Sequence, residues 1–179
     1  FRRWVVSDKK ILELEKATKQ TELQQLKKQI NPHFLFNMLN NANILVKDAP
    51  DEASQILEKL DNLLRYQLND STRREVFLTA DIQFLTSFLE LEKVRRDHFE
   101  YTIFQEGNME NICIPPLLFI PFVVNAVKHN LDSDNLSYVH LYFSVHNKQL
   151  TFRCENSKPR VPVKREGGIG LANVKRRLD

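Results

Sequence analysis

The chain has 179 residues, 42% hydrophobic and 27% charged, enough apolar material for the core of one or two soluble globular domains. Its 26 Lys and Arg are interleaved with 23 Asp and Glu to a net charge of +3, which argues against the basic footprint of a nucleic-acid-binding domain. The two cysteines, Cys113 and Cys154, lie far apart without a CxxC spacing, so neither a zinc site nor a disulfide framework is implied, and a reducing compartment, the cytoplasm, is expected.

No run reaches the ~18 to 20 apolar residues of a membrane span, and the start lacks a signal-peptide core. The opening FRRWVVSDKK mixes Phe1 and Trp4 with Arg2 and Arg3. That mixture suits the cytoplasmic edge of a membrane helix, and equally a chain cut at an arbitrary point.

Residues 8–47 contain almost no helix breaker apart from Pro32, which predicts one long helix. Leu23, Leu26, Ile30, His33, Asn37, Asn40 and Ile44 follow the three- and four-residue steps of a coiled-coil seam whose lower half turns polar. At ~100° per residue, Phe34, Leu35, Met38, Leu39, Ala42, Leu45 and Val46 fall on the side opposite His33. Asn37, Asn40 and Lys47 share the histidine's side. Upstream of Pro32 the stripe lies on the other side, so the proline is expected to kink the helix where the packed face resets and His33 emerges. A lone histidine is ordinarily just a surface residue. Here an accessible neutral imidazole is a competent nucleophile near neutral pH, and Asn37, one turn on, can orient it.

A second helix is predicted from Pro50 to Leu68, with Asp48 and Pro50 suiting its start and Ile56, Leu57, Leu60, Leu63 and Leu64 its apolar face. The pair makes a hairpin. Thr79 is expected to cap a third helix reaching Arg96, with Phe84, Leu85, Phe88, Leu89 and Leu91 buried. Then FEYTIFQEG reads as a strand and IPPLLFIPFVVNAVKHN as a proline-started buried helix. YVHLYFSVHNKQLTFRCE reads as a hairpin around an Asn147-Lys148 turn, with Val139, Leu141, Phe143, Val145, Leu150, Phe152 and Cys154 inward. An α+β fold with a one-sided sheet follows.

Two further groups carry chemistry. Asn125, Lys128 and His129 share one helical face and interrupt an otherwise apolar run; an amide oxygen suits Mg²⁺ and a lysine suits phosphates, while a helix end surfacing into solvent is, taken alone, the commoner explanation. Three of the four glycines, Gly167, Gly168 and Gly170, precede the last predicted helix in GGIGLANVKRRL, the arrangement of a phosphate cradle or of a flexible turn. His140 and His146 share a strand face but lack partner ligands, so a metal reading is set aside for solvent-facing strand residues.

In order and wording these motifs resemble the LytS/YehU-like sensor histidine kinases of two-component systems, with their GHKL-type ATP-binding domain. QLKKQINPHFLFNMLNN resembles the phosphoacceptor box, LLRYQL and FLELEKVR the connecting helices, IPPLLFIPFVVNAVKHN the N box and GGIGLANVKRRL the glycine box, over residues 22–178. The resemblance implies an N-terminal helical hairpin that pairs into a four-helix bundle in a homodimer, followed by an α/β sandwich ATP-binding domain lacking its C-terminal end. It divides the chain into a juxtamembrane signalling helix at 1–20, a dimerisation and phosphotransfer hairpin at 21–75, and a connecting helix with the catalytic domain at 76–179.

It further implies that His33 takes the γ-phosphoryl group of ATP and passes it to an aspartate on a response-regulator receiver domain. Asn125 would hold Mg²⁺, with Lys128 and His129 near the phosphates and Gly168, Gly170 and Leu171 bordering the nucleotide. The whole would be the cytoplasmic part of an inner-membrane protein anchored by upstream segments outside this chain. Two departures stand out: Val124 replaces the family's usual glutamate before Asn125, and ENSKP, with Glu155 as the adenine-reading acid, replaces its Asp-x-Gly-x-Gly motif. These departures motivate an alternative, a dimeric scaffold that signals by conformation with little or no kinase activity.

Overall fold

A computed structural model describes residues 32–128 and 136–157. Helix α1 spans Pro32–Asp48 and α2 Pro50–Leu68, joined through the single residue Ala49 into a hairpin. The upstream seam and the kink expected at Pro32 lie outside the described residues. Phe34, Met38 and Ala42 of α1 are buried, as are Ala53, Ile56, Leu60, Leu63 and Tyr66 of α2. Each large side chain among them contributes ~1.5 to 3 kcal/mol by leaving water. The expected apolar face of α1 needs correction at one flank: Leu39 and Val46 are 44% and 52% exposed, because one neighbouring helix covers only part of so wide an arc.

After a 3₁₀ turn at Asp70–Thr72, a two-residue strand β1, Val76–Phe77, pairs antiparallel with β3, Cys113–Ile114. Helix α3 starts at Leu78 and runs to Arg95. Thr79 is therefore not its cap. Phe77 precedes the helix without a side-chain cap, and the Leu78 amide instead donates to the Ile112 carbonyl at 2.8 Å, a strand-side partner that replaces one. The predicted interior of α3 is all buried: Phe84, Leu85, Phe88, Leu89 and Leu91. Phe34 meets Phe88 at a centroid distance of 5.4 Å, seating α1 on α3.

Strand β2, Phe99–Glu106, pairs in parallel with β4, Ser137–His146, which pairs antiparallel with β5, Gln149–Asn156. Helix α4, Ile120–Lys128, falls between β2 and β4 in the chain, as parallel neighbours require of their connection. Asn147 and Lys148, at φ 49° and 64°, make the left-handed turn anticipated for the β4–β5 hairpin. Gly107, at φ +88° just beyond β2, sits where an added Cβ would come within 2.3 Å of the Val145 carbonyl oxygen. Val139, Leu141 and Phe143 turn inward, and Phe143 and Phe152 meet Phe119, just before α4, at 5.2 and 4.5 Å. The α+β class expected from the sequence is the one observed, with the hairpin leading through α3 into an α/β layer. Among the described residues, no helix is long and apolar enough to cross a membrane.

Glu90 of α3 lies 3.5 Å from Lys59 of α2 and bonds the hydroxyl of Tyr101 on β2. Burial first, then this carboxylate, pushes the Tyr101 hydroxyl from 10.0 to about 12, and burial likewise raises Tyr66. A raised folded-state value means that the stabilisation is fully present below pH 10.0, where unfolded tyrosine keeps its proton, and is lost as pH climbs through about 12. Denaturant melts across pH 8 to 12 are expected to be flat at first and to fall in that upper window, less steeply in Tyr101→Phe.

Candidate phosphoacceptor and nucleotide site

His33 stands in the first described turn of α1 with its side chain exposed, while Phe34 beside it is buried against α3. The rotation that seats Phe34 and Met38 inward turns His33 outward, with Asn37 half-buried one turn along. The carboxamide Nδ2 of Asn37 lies 3.3 Å from Nδ1 of His33. With Nδ2 as donor, Nδ1 accepts and the ring proton sits on Nε2. A half-turn of the carboxamide presents Oδ1 instead, Nδ1 keeps the proton, and the basic lone pair lies on Nε2.

Helix α4 carries the second group. Ile120, Pro121, Val123, Ala126 and Val127 are buried, which leaves Asn125 half-buried and Lys128 exposed on the open side. Lys128 is the last described residue of the helix. Val124 is half-buried and packs on the core. An amide oxygen at 125 and an ammonium three residues later fit a hard cation and anionic oxygens. His129, Gly168, Gly170 and Leu171 lie outside the described residues.

The last described turn of α4 is tied to α3. Arg96 donates to the Val127 carbonyl at 3.2 Å, lies 3.1 Å from the buried Glu92 and stands over the Phe99 ring. Burial lowers the Arg96 guanidinium below its ordinary value, against the pull of Glu92. This tie was absent from the sequence reading, although Glu92 stands next to Leu91, one of the interior residues it did name.

Glu155 is placed where the sequence reading did not want it. Along β5, Phe152 and Cys154 pack on the core side that α4 occupies, whereas Arg153 and Glu155 are exposed and pair with each other at 3.3 Å. Successive strand residues face opposite ways, so Glu155 stands on the sheet face away from α4. The half-buried residue on the α4 side is Asn156, the last of β5, in register with Val139. Its Nδ2 donates to the Ser157 carbonyl at 2.8 Å, which leaves Oδ1 and one N–H for other partners. The alternation of Leu150, Phe152 and Cys154 was the signal that pointed to it. His140 and His146, on the outer face, are taken by Thr102 at 2.6 Å and Glu106 at 3.6 Å.

A helical hairpin presents an exposed histidine and leads into an α/β layer with polar groups on its helix side. The histidine kinase family matches residues 21–99. The sensor histidine kinase YpdA of Escherichia coli K12 is 30% identical over 119 residues, 66% of this chain and 21% of that protein. The sensor histidine kinase/phosphatase LytS of Staphylococcus aureus MRSA252 is 31% identical over 115 residues, 64% of this chain and 20% of that one. The sensor protein LytS of Staphylococcus haemolyticus is 29% identical over 178 residues, 91% of this chain and 30% of that one. Among solved structures, the histidine kinase domain of the blue-light activated kinase of Erythrobacter litoralis aligns at a TM-score of 0.44 and 16% identity, over 92% of this chain and 83% of that domain. In sequence the chain is similar to the LytS-like sensor histidine kinases. It spans 20%, 21% and 30% of the length of these three relatives.

Proposed function

We infer that this chain transfers the γ-phosphoryl group of ATP to His33 and hands it on to an aspartate of a response-regulator receiver domain. The observation that carries the reading is the exposed imidazole of His33 beside the Asn37 carboxamide on a hairpin of this family. With Nδ1–H held by Asn37 Oδ1, the Nε2 lone pair forms the N–P bond. The bond from Pγ to its bridging oxygen breaks, and ADP leaves with that oxygen. Such a transfer depends on positioning and charge neutralisation more than on many reacting side chains. Bound Mg²⁺ would neutralise charge on the phosphates; Asn125 offers it a half-buried carboxamide oxygen, and Lys128 offers the phosphates an ammonium. Asn156, not Glu155, is assigned to adenine, since a carboxamide can accept from the exocyclic amine and donate to a ring nitrogen. Gly168, Gly170, Leu171 and His129 complete the assignment as residues bordering the nucleotide. The test is incubation of the whole protein with Mg²⁺ and γ-labelled ATP, which should give an acid-labile phosphoprotein.

Dimerisation is part of the same reading. On α1, Phe36, Leu39 and Val46 are 66%, 44% and 52% exposed, and on α2, Leu57 and Leu68 are 45% and 66% exposed. These residues recur at near-heptad steps and suit a second hairpin of the same chain. Leu39→Glu, counted twice across a two-fold interface, is expected to raise the dimer dissociation constant about 10²- to 10³-fold. Sedimentation at matched concentrations reads the change, and an unaltered dimer argues against this interface. On the same reading the chain works on the cytoplasmic side of an inner membrane, anchored by segments outside it.

The half-buried, core-packed Val124, where the family usually has a glutamate, favours a second reading, a dimeric scaffold signalling by conformation. Calorimetry on the whole protein separates the two: no nucleotide binding supports the scaffold.

A further inference from the structure

One buried polar cluster joins three elements that phosphoryl transfer has to keep in register. Asp81, in the first turn of α3, is wholly buried at 0% exposure. Its Oδ1 accepts from the hydroxyl of Tyr66, near the end of hairpin helix α2, and from the backbone amide of Leu117 at 3.1 Å. The Tyr66 ring stacks on Phe84 of α3 at 4.5 Å, which registers the last turn of the hairpin against α3.

Leu117 is the unusual member. It has φ 57°, in the left-handed region, is 2% exposed, and stands three residues before α4 begins at Ile120. A leucine held there costs ~1 to 2 kcal/mol, so the turn persists only because its surroundings over-determine it. The Asp81 carboxylate supplies that hold through the Leu117 amide. Immediately downstream, Phe119 receives the first helical amides of α4, from Phe122 at 3.0 Å and Val123 at 3.3 Å. Where the Leu117 turn is set, the first turn of α4 is set with it. Three apolar residues of similar shape would pack as well, so stability alone does not explain a buried carboxylate and its tyrosine; defined geometry does.

We propose that Asp81 is a positioning residue: clasped by Tyr66, it fixes the Leu117 turn and thereby the orientation of α4 and Asn125 relative to the hairpin that bears His33. The kinetic consequence rests on the kinase reading, but the structural one does not. Tyr66→Phe keeps the stacked ring and removes one donor. Asp81→Asn keeps the volume and an acceptor for Leu117 while weakening it.

The experiment is amide hydrogen exchange on the whole protein and both variants, combined with nucleotide titration and autophosphorylation rates. Exchange at Leu117 and over the first turn of α4 should accelerate about five- to tenfold, the factor expected for one lost buried hydrogen bond, while β4 and β5 remain unchanged. In a protein that autophosphorylates, kcat should fall about tenfold or more at unaltered nucleotide affinity, because the bound nucleotide is intact but less well aimed. Unchanged exchange at Leu117 in both variants overturns the proposal. So does a parallel loss of kcat, nucleotide affinity and protection across the whole sheet, which is what a merely structural role produces. Absence of phosphohistidine in the wild-type protein defeats the kinase reading instead, and the exchange result still decides the clasp.

Discussion

His33→Gln is expected to abolish acid-labile labelling of the protein by γ-labelled ATP while leaving its melting temperature and dimer intact. Glutamine matches histidine in size and polarity, is the better helix former, and replaces a side chain already in solvent, so no packing is lost. What disappears is the only imidazole of α1, and without a nucleophile there is no N–P bond to form. Undiminished labelling of the variant would sink the assignment, since another residue would then be the acceptor. Asn37→Ala should behave differently. The acceptor remains, but nothing at that position holds the Nδ1 proton, and the rate should fall roughly 10- to 100-fold, as when a group that orients a catalytic histidine is removed. Equal rates for Asn37→Ala and wild type would place the tautomer control elsewhere.

Why His33 was legible from sequence while its surroundings were not comes down to the range of the forces involved. Periodicity is local, so α2 was bounded at Pro50 and Leu68, the Asn147-Lys148 turn was found, and the outward side of α1 was drawn correctly around His33. Errors begin where a partner distant in sequence intervenes. Thr79 has the chemistry of a cap, but the Ile112 carbonyl, brought close by the β1–β3 pairing, takes the first amide and moves the helix start. Leu39 and Val46 are apolar and on the expected flank, yet the fold of a single chain leaves them in water; the sequence pattern reports that they want a partner without saying which.

Asp81 and Glu92 illustrate the opposite failure. Both are acids on the buried side of α3, where pattern alone calls for apolar residues, and their partners are a hairpin tyrosine, the backbone of a loop and a downstream arginine. Only the assembled fold reveals that these groups tie α4 at two places, through Leu117 just before it and Val127 in its last described turn. Buried polar groups survive when they are partnered, and the partners here lie 15, 36 and 4 positions away.

The strand at the edge of the candidate nucleotide site supplies the second large effect. Motif comparison put an acid, Glu155, in the place of the family's aspartate, but a strand residue can serve only the face toward which it points. Glu155 is exposed and engaged by Arg153 on the outer face, whereas Asn156 faces the α4 side, its carboxamide oxygen without a hydrogen-bond partner among the described residues. Asn156→Ala should therefore weaken ATP binding about 10- to 100-fold, the loss expected when a base is deprived of a paired donor and acceptor in a partly desolvated site. GTP discriminates further: its base presents a carbonyl where adenine presents an amine, so the wild-type preference for ATP over GTP should collapse in Asn156→Ala and survive in Glu155→Ala. Glu155→Ala removes only a surface ion pair, worth ~0 to 1 kcal/mol of stability, and should bind ATP as the wild type does. Titrating a fluorescent ATP analogue into the three proteins reads both effects. Loss of affinity in Glu155→Ala with none in Asn156→Ala would mean that the nucleotide approaches from the outer face of the sheet, and that α4, with Asn125 and Lys128, does not line its site.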